Sequence, residues 1–454
     1  MPLDRRDFLL SAGAMATLAA QPTANRAFAA EPSKADQREL RITGITITPI
    51  ALPDPPLLAA GGCHGPYFLR NVIELTTDGG IVGIGETRGG EERTRGLERA
   101  KKHLVGKPLR LWRRALPESL DLDGSVFAGL ELAALDALGK ATNQRLCDMF
   151  GGPLLDEVEF AAYLFYRYAA DHPAALSDPR LVDSRGKGAM ALDDWGEVRT
   201  PAAMADLAVK FRDRFGFRVF KLKAGVLKPD EEVESLLAMN DRLGGKAPLR
   251  IDPNGRWSMA TALRVAKNIR HLPLEYYEDP VAGMRAMAEV REKTGLPIST
   301  NSVVTSLGDI PEAVEMKAVD IVLADHHSFG GFANCLALGQ LAPSLGWKLS
   351  QHSNNHAGIT MAAMIHLGAV VPGLSYASDT HYPWLPESSD ILNGGKLPIR
   401  GGKMHLPRAP GLGITLNRNA LALAHETYRK CGMRERDDKA TMQRYQAGWE
   451  KTIL

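Results

Sequence analysis

Three stretches carry oxygen-bearing side chains just after short apolar or β-prone runs. Arg250-Ile-Asp-Pro-Asn-Gly-Arg-Trp257 presents Asp252 and Asn254, Tyr276-Tyr-Glu-Asp-Pro280 presents Glu278, and Pro297-Ile-Ser-Thr-Asn301 presents Asn301. Taken singly, Asp-Pro-Asn-Gly and Glu-Asp-Pro are also ordinary turn sequences. Their recurrence at near-equal intervals points to one rim where successive strands end. Two carboxylates and an amide oxygen meeting there suit a hard cation such as Mg²⁺, which takes oxygen ligands. Upstream, Lys221 and Lys223 flank Leu222 on a strand, and period-two geometry puts both ammonium groups on one face. Like-charge repulsion and desolvation are expected to depress their pKa values, so that one could act as a general base. Downstream, Asp325 and His352 end neighbouring strands; a carboxylate on one imidazole nitrogen fixes the tautomer and raises the basicity of the other. His326, His327, His356 and His381 are weaker candidates.

Residues delivered in this way need parallel strands that converge at one end, as in a (β/α) barrel, whose sites lie at the C-terminal ends of the strands. From about Val158 strands alternate with helices. The strands are read at Phe160–Tyr166, Arg218–Lys223, Leu249–Asp252, Leu274–Glu278, Pro297–Thr300, Ile321–Asp325 and Lys348–His352. Arg167 to Thr200 is long, polar and aperiodic, and reads as an insertion at the rim. Before the barrel, Ile42–Pro49 alternates like a strand. Asn71–Thr77 and Ile81–Glu86, joined by Asp-Gly-Gly, read as a hairpin. Helices follow over Glu91–Leu104 and Gly129–Gly139. Ala59-Ala-Gly-Gly-Cys-His-Gly-Pro66 is a connector or a lid. The expected organisation is an α+β capping domain at 40–152, the barrel at 153–395, and a C-terminal segment, 396–454, that packs back on the cap.

The 454 residues suffice for a barrel and a second domain, and a formal charge of +2 gives no nucleic-acid footprint. Four scattered cysteines show no metal-type spacing. At the N-terminus, Asp4-Arg-Arg-Asp-Phe-Leu-Leu10, a mildly apolar run and Ala27-Phe-Ala29 read as a twin-arginine export signal over 1–29, cleaved near Ala29. A periplasmic protein with no membrane anchor is the expectation.

The order Lys-x-Lys, Asp-Pro-Asn-Gly, Glu-Asp-Pro, Thr-Asn and the Asp/His pair resembles the enolase superfamily, and within it the glucarate dehydratase group. Gly61-Gly-Cys-His-Gly-Pro66, Tyr163-Leu-Phe-Tyr166, Phe220-Lys-Leu-Lys223, Leu323-Ala-Asp325, His352-Ser-Asn-Asn-His356, Asp379-Thr-His381 and Pro410-Gly-Leu-Gly413 extend the match over roughly Ile42 to Trp449. The resemblance implies a modified (β/α) barrel under an α+β cap, with Mg²⁺ on Asp252, Glu278 and Asn301. It implies Lys223 as base with Lys221 beside it, His352 oriented by Asp325 as the opposing acid/base, and Asn254 as a polarising group. His64, Tyr163 and His381 are implied as substrate contacts. The implied activity is dehydration of a small sugar acid to a 2-keto-3-deoxy acid, in a homo-oligomer. Ala59 stands where the group has asparagine, Arg88 where it has proline, and no arginine follows Trp449. A monoacid substrate is therefore expected as readily as glucarate. Epimerisation on the same bases, or sugar-acid binding without catalysis, are the competing expectations.

Overall fold

The computed structural model describes residues 39–182 and 193–454. The expected export signal and cleavage site lie outside them. Leu40–Leu454 forms one unit of the chain.

Its first layer is an antiparallel sheet in the order β1-β4-β5. The strands are β1 (Ile42–Pro53), β4 (Tyr67–Thr77) and β5 (Val82–Arg88). Between β1 and β4 the Gly-rich stretch forms a small hairpin of β2 (Leu58–Ala59) and β3 (Gly62–Cys63). This stretch is held down: Leu58 N–H donates to the carbonyl of Tyr166 (2.7 Å). Helices α1 (Glu91–Leu104) and α2 (Gly124–Thr142) follow. Asp123 starts α2 by accepting from Ser125 N–H (2.8 Å), as an N-cap should. Most of α2 is buried, 13 of its 19 residues, and it packs on β5. That approach requires Gly83 and Gly85, where an added Cβ would strike the Ala133 and Gly129 carbonyls of α2.

The second layer is a barrel. After β6 (Glu157–Phe165) come α3 (Pro173–Leu176), α4 (Pro201–Phe215), β7 (Phe220–Lys223), α5 (Pro229–Arg242) and β8 (Leu249–Asp252). Next are α6 (Met259–Ile269), β9 (Leu274–Glu278), α7 (Met284–Thr294), β10 (Ile298–Thr300), α8 (Ile310–Glu315) and β11 (Ile321–Leu323). The circuit ends with α9 (Phe332–Leu341), β12 (Lys348–Ser350), α10 (Gly358–Val370) and β13 (Ser378–Thr380). Strands β6 to β12 pair in sequence order, all parallel, and β13 pairs with β6. Asp379 N–H donates to the Gln351 carbonyl (2.9 Å), which brings β13 to the β12 side and closes the ring. The fold is thus a modified (β/α) barrel beneath an N-terminal α+β cap, as expected.

Two elements depart from the sequence reading. Strand β13 was not expected: Ser-Asp-Thr has neither the length nor the apolar character that marks a strand. The barrel pairing also does not stop at Gly394, because β14 (Lys403–His405) runs antiparallel to the start of β6. Helix α11 (Arg418–Lys430) lies on β1 of the cap, with His425 Nδ1 2.7 Å from the Pro49 carbonyl. Helix α12 (Asp438–Tyr445) packs on β3. Segment 396–454 therefore touches both layers.

Candidate active site

The ends of β7, β8, β9 and β13 bring one buried cluster together. Lys221 Nζ lies 2.7 Å from Glu278 Oε1, 2.6 Å from Asp379 Oδ2 and 3.3 Å from Asp252 Oδ2. Lys223 Nζ lies 2.6 Å from Asp252 Oδ2. All five side chains are buried. Period two on β7 aims both lysines inward, as read from the sequence. Below them Arg250, fully buried, donates to Asp379 Oδ1 (3.2 Å) and Glu275 Oε2 (2.7 Å).

The expected depression of the lysine pKa values is reversed. Burial alone would lower Lys221, but Asp379 and Glu278 push it well above the ordinary value. Burial would also lower Lys223, and the adjacent Asp252 raises it instead. Like-charge repulsion between neighbouring lysines is a local effect; tertiary structure places a carboxylate oxygen within 2.7 Å of each ammonium and outweighs it. Burial would raise Asp252, yet Lys223 and Lys221 hold it well below the usual carboxylate range. Glu278 moves the other way, raised by burial and by Asp252 and Asp379 nearby. Burial and Asp252 likewise raise Asp279.

This donor set fits a hard cation. Asp252 and Glu278 are buried carboxylates crowded enough for one to be pushed towards its neutral form, a crowding that a dication relieves. Asn301 completes the set. With its nitrogen turned inward, its amide donates to Glu278 Oε1 (3.2 Å) and Asp279 Oδ2 (3.0 Å). The opposite turn of the amide offers its oxygen at the same place. Asn254 is exposed in the turn at φ 55°, and its backbone N–H donates to Asp252 Oδ1 (2.9 Å).

Across the mouth stands His352, the second base that the resemblance implies. Around the ring, β12 is five strands from β7 one way and three the other, so His352 faces Lys223 from the opposite side. His352 Nδ1 is 3.2 Å from Asp325 Oδ2. Asn354 Nδ2 donates to the same oxygen (3.0 Å), and Arg88 Nη2 lies 3.4 Å from it. Burial would raise Asp325, but hydrogen bonds from His327 and His352, with Arg88 beside it, hold it well below its ordinary value. His326 and His327 crowd Asp325 closely enough to suggest a metal cluster. Their surroundings oppose one: His327 Nε2 lies 2.9 Å from the Glu86 carbonyl and 3.3 Å from Arg70 Nη2, and a second guanidinium, Arg88, stands on Asp325. His356 is buried with Nδ1 near the Ala357 carbonyl (3.1 Å), and burial depresses it to about 4.

The implied substrate contacts also converge. His381 packs edge-on against Tyr163 (ring centroids 4.7 Å apart) and lies stacked at 6.3 Å from His64. Tyr163 Oη is 3.5 Å from Asp252 Oδ2, and Lys221 Nζ sits 4.5 Å from the centre of its ring. Burial and the neighbouring imidazoles of His64, His352 and His356, with Arg436, drive His381 well below the usual histidine range.

Two groups escaped the sequence reading. Asp379 pairs with Lys221 and Arg250; its sole trace was its place two residues before His381. Arg436 was missed because an arginine was sought only after Trp449. Its Nη1 donates to Asn355 Oδ1 (2.9 Å), Asn355 Nδ2 donates to Asp54 Oδ1 (2.9 Å), and Asp54 lies 3.5 Å from His64 Nδ1. The run of charges Arg434-Glu-Arg-Asp-Asp438 between two helices was the available signal.

The chain is similar to known proteins in sequence and in fold. The sequence model of the family described as "Enolase C-terminal domain-like" matches residues 203–420. A probable glucarate dehydratase of Streptomyces coelicolor is 39% identical over 439 residues, 91% of this chain and 98% of its own. A chloromuconate cycloisomerase of Cupriavidus necator is 26% identical over 362 residues, 76% of this chain and 89% of its own. The crystal structure of an enolase from Pseudomonas fluorescens, with bound magnesium, potassium and tartrate, has a TM-score of 0.83. It is 39% identical in sequence, and the match covers 92% of this chain and 99% of that one.

Proposed function

The chain belongs to the enolase superfamily, in its glucarate dehydratase group, and from that premise we propose that it is a Mg²⁺-dependent hydro-lyase acting on a small sugar acid. The observation that carries the reading is the placement of Lys223 and His352 on strands well apart around the ring, with Lys221, Asp252 and Glu278 beside Lys223. A binding protein has no need of proton-transfer groups on two faces.

Asp252, Glu278 and Asn301 would hold the ion. Mg²⁺ held there would supply positive charge beside the substrate carboxylate and would compete for the Asp252 carboxylate, which otherwise keeps the proton on Lys223. Lys223 takes the proton α to the carboxylate. The Lys221 ammonium, fixed by Asp379, faces the negative charge that develops, and being already oriented it costs no reorganisation. His352 carries a proton on Nε2 while Asp325 fixes Nδ1, and delivers it to the β-hydroxyl as that group leaves. The C–O bond breaks with loss of water, and the resulting enol rearranges to a 2-keto-3-deoxy acid. His64, Tyr163 and His381 line the wall against which the hydroxyl-bearing chain would lie. Arg436 gives the rim a cation beside Asn355, so mono- and diacids both belong in a substrate screen.

The test is that screen with Mg²⁺, read by formation of a 2-keto acid. Activity is expected to vanish with a chelator and to fall on the order of 10²–10⁴-fold in Lys223→Ala and in His352→Ala. A hit that survives either substitution would defeat the assignment of that base. The same opposed bases also favour a second reading, epimerisation of a hydroxy acid; α-hydrogen exchange without a 2-keto product would select it.

We further propose that residues 1–29 direct twin-arginine export, and that the mature protein works in the periplasm as a homo-oligomer without nucleic-acid partner or membrane anchor. The support is the arginine pair with its following apolar run. No helix among the described residues is long and apolar enough to cross a membrane.

A further inference from the structure

The turn that carries Asp252 ends in Arg256, a guanidinium that the chemistry above does not use. The residue is buried, with 4% of its surface exposed, and its two bonds run in different directions. Nη1 donates to the Gly225 carbonyl (2.6 Å), two residues beyond Lys223, and Nε donates to the Thr452 carbonyl (2.8 Å). The backbone of the last residues completes the joint. Leu454 N–H donates to the Arg256 carbonyl (2.9 Å), and Ser258 N–H donates to the Leu454 carbonyl (2.7 Å). Arg256 also forms an isolated bridge with Val281, three residues beyond Glu278. The ring of Trp449 lies 5.5 Å from its guanidinium carbon.

The loop that Arg256 reaches is already held on its other side. The N–H groups of Gly225, Val226 and Leu227 donate to the buried Glu232 carboxylate at 2.9, 2.7 and 2.9 Å. Gly225 sits so close to the neighbouring turn that an added Cβ would lie 2.5 Å from the Pro253 carbonyl. Directly above, Ala224 N–H donates to the Asp252 carbonyl (2.8 Å). Arg256 is therefore the point where the loops after β7, β8 and β9 meet the C-terminal residues.

We infer that Arg256, clamped by the backbone of Thr452–Leu454, is a positioning residue that sets the spacing of Lys223, Asp252 and Glu278 from behind. The inference rests on the proposed reading of these three as base and metal ligands. A planar fork with donors fixed in one plane can tie two loops at once; a lysine in its place reaches one acceptor without direction. Supporting groups of this kind matter because a shift of about 1 Å in a reacting or ligating group is enough to cost 10²-fold in rate.

The test uses the full chain, Arg256→Gln, Arg256→Lys and a chain ending at Trp449. Mg²⁺ affinity is measured by calorimetry on the ion-free proteins, and amide hydrogen exchange is followed at Ala224 and Gly225. The expected result is about tenfold weaker Mg²⁺ binding in Arg256→Gln and in the shortened chain, with Arg256→Lys between them and the parent. Combining the Gln substitution with the truncation should add little, because both break one joint. In turnover, kcat should fall more than KM rises. Mg²⁺ affinity and loop exchange within about twofold of the parent in both variants, whatever the change in Tm, would overturn the inference. If the parent itself takes up no Mg²⁺, the metal reading fails on its own account. Exchange then decides the joint, faster at both amides in both variants if it exists and unchanged if it does not.

Discussion

Asp379 is the residue on which the buried charges at the base of the barrel depend. It accepts from Lys221 and from Arg250, and both cations are fully buried. Asp379→Asn keeps the shape and removes the charge, leaving two buried cations short of a partner. Breaking a buried pair in this way costs roughly 3–5 kcal/mol. Urea unfolding should show that loss as a lower midpoint at unchanged slope, and a change under about 1 kcal/mol would mean Asp379 is not the group that balances them. Arg88 works at the same scale on the other side of the mouth: a cap residue, it donates to Ser328 Oγ (2.7 Å) and stands beside Asp325. The candidate pairs themselves were legible in the sequence, because period two on β7 and a carboxylate or imidazole at a strand end are local facts. The sign of the lysine shift was not, since it depends on Asp379 and Glu278, which lie 158 and 57 residues away from Lys221.

At the scale of elements, two cap carboxylates serve as N-terminal caps for barrel helices. Glu86 on β5 accepts from Ala357 N–H and Thr360 N–H (both 2.9 Å) at the start of α10. Glu131 on α2 accepts from Phe332 N–H and Ala333 N–H at the start of α9. Both suit the positive end of a helix. They titrate differently. Arg70 at 2.6 Å offsets the burial of Glu86 and leaves it below its ordinary value, whereas Glu131 forms no such ion pair among the described residues, and burial, only partly opposed by Arg113, pushes it up to about 7. The folded chain therefore holds the Glu131 proton more tightly than the unfolded chain does. Stability should then fall as pH rises from about 4.5 to 7, by roughly 3 kcal/mol at most from this group. Glu131→Gln keeps an acceptor for the same N–H groups and removes that dependence. Its Tm should exceed the parent's at pH 8 and match it near pH 5. Glu232, also pushed up to about 7 by burial, leaves a second slope of the same sign in both proteins. Identical pH profiles for parent and variant would show that Glu131 does not titrate in this window.

For the whole molecule, these contacts join cap and barrel through one seam. Arg70 and Glu86 are fully enclosed by it, and Arg70 Nη2 also donates to Thr360 Oγ1 (3.3 Å) of α10. Helix α11 lies on β1 while β14, on the same C-terminal segment, is part of the barrel sheet. Separate unfolding would expose the Arg70–Glu86 pair and strip the first turns of α9 and α10 of their caps. One transition is therefore expected, with the fluorescence of Trp112, buried in the cap cluster, changing together with far-UV circular dichroism. An earlier change at Trp112 would show that the cap lets go first.

The sequence by itself determined the fold class, the order of the strands from β6 to β12 and the residues at their ends. Each of these is written in a local pattern: apolar runs of strand length, turn residues after them, and chemistry-bearing side chains at a repeating interval. Only the tertiary structure decided what those side chains experience. Strand β13, three polar residues long, closes the barrel because Lys221 and Arg250 meet Asp379 there, and no apolar run could announce it. Arg436 reaches the rim because α12 packs on β3, and Arg256 finds the Gly225 and Thr452 carbonyls because the C-terminal residues return to the barrel. Coulomb energy and hydrogen bonding depend on distance in space, and a chain that folds back on itself sets those distances between residues far apart in the sequence.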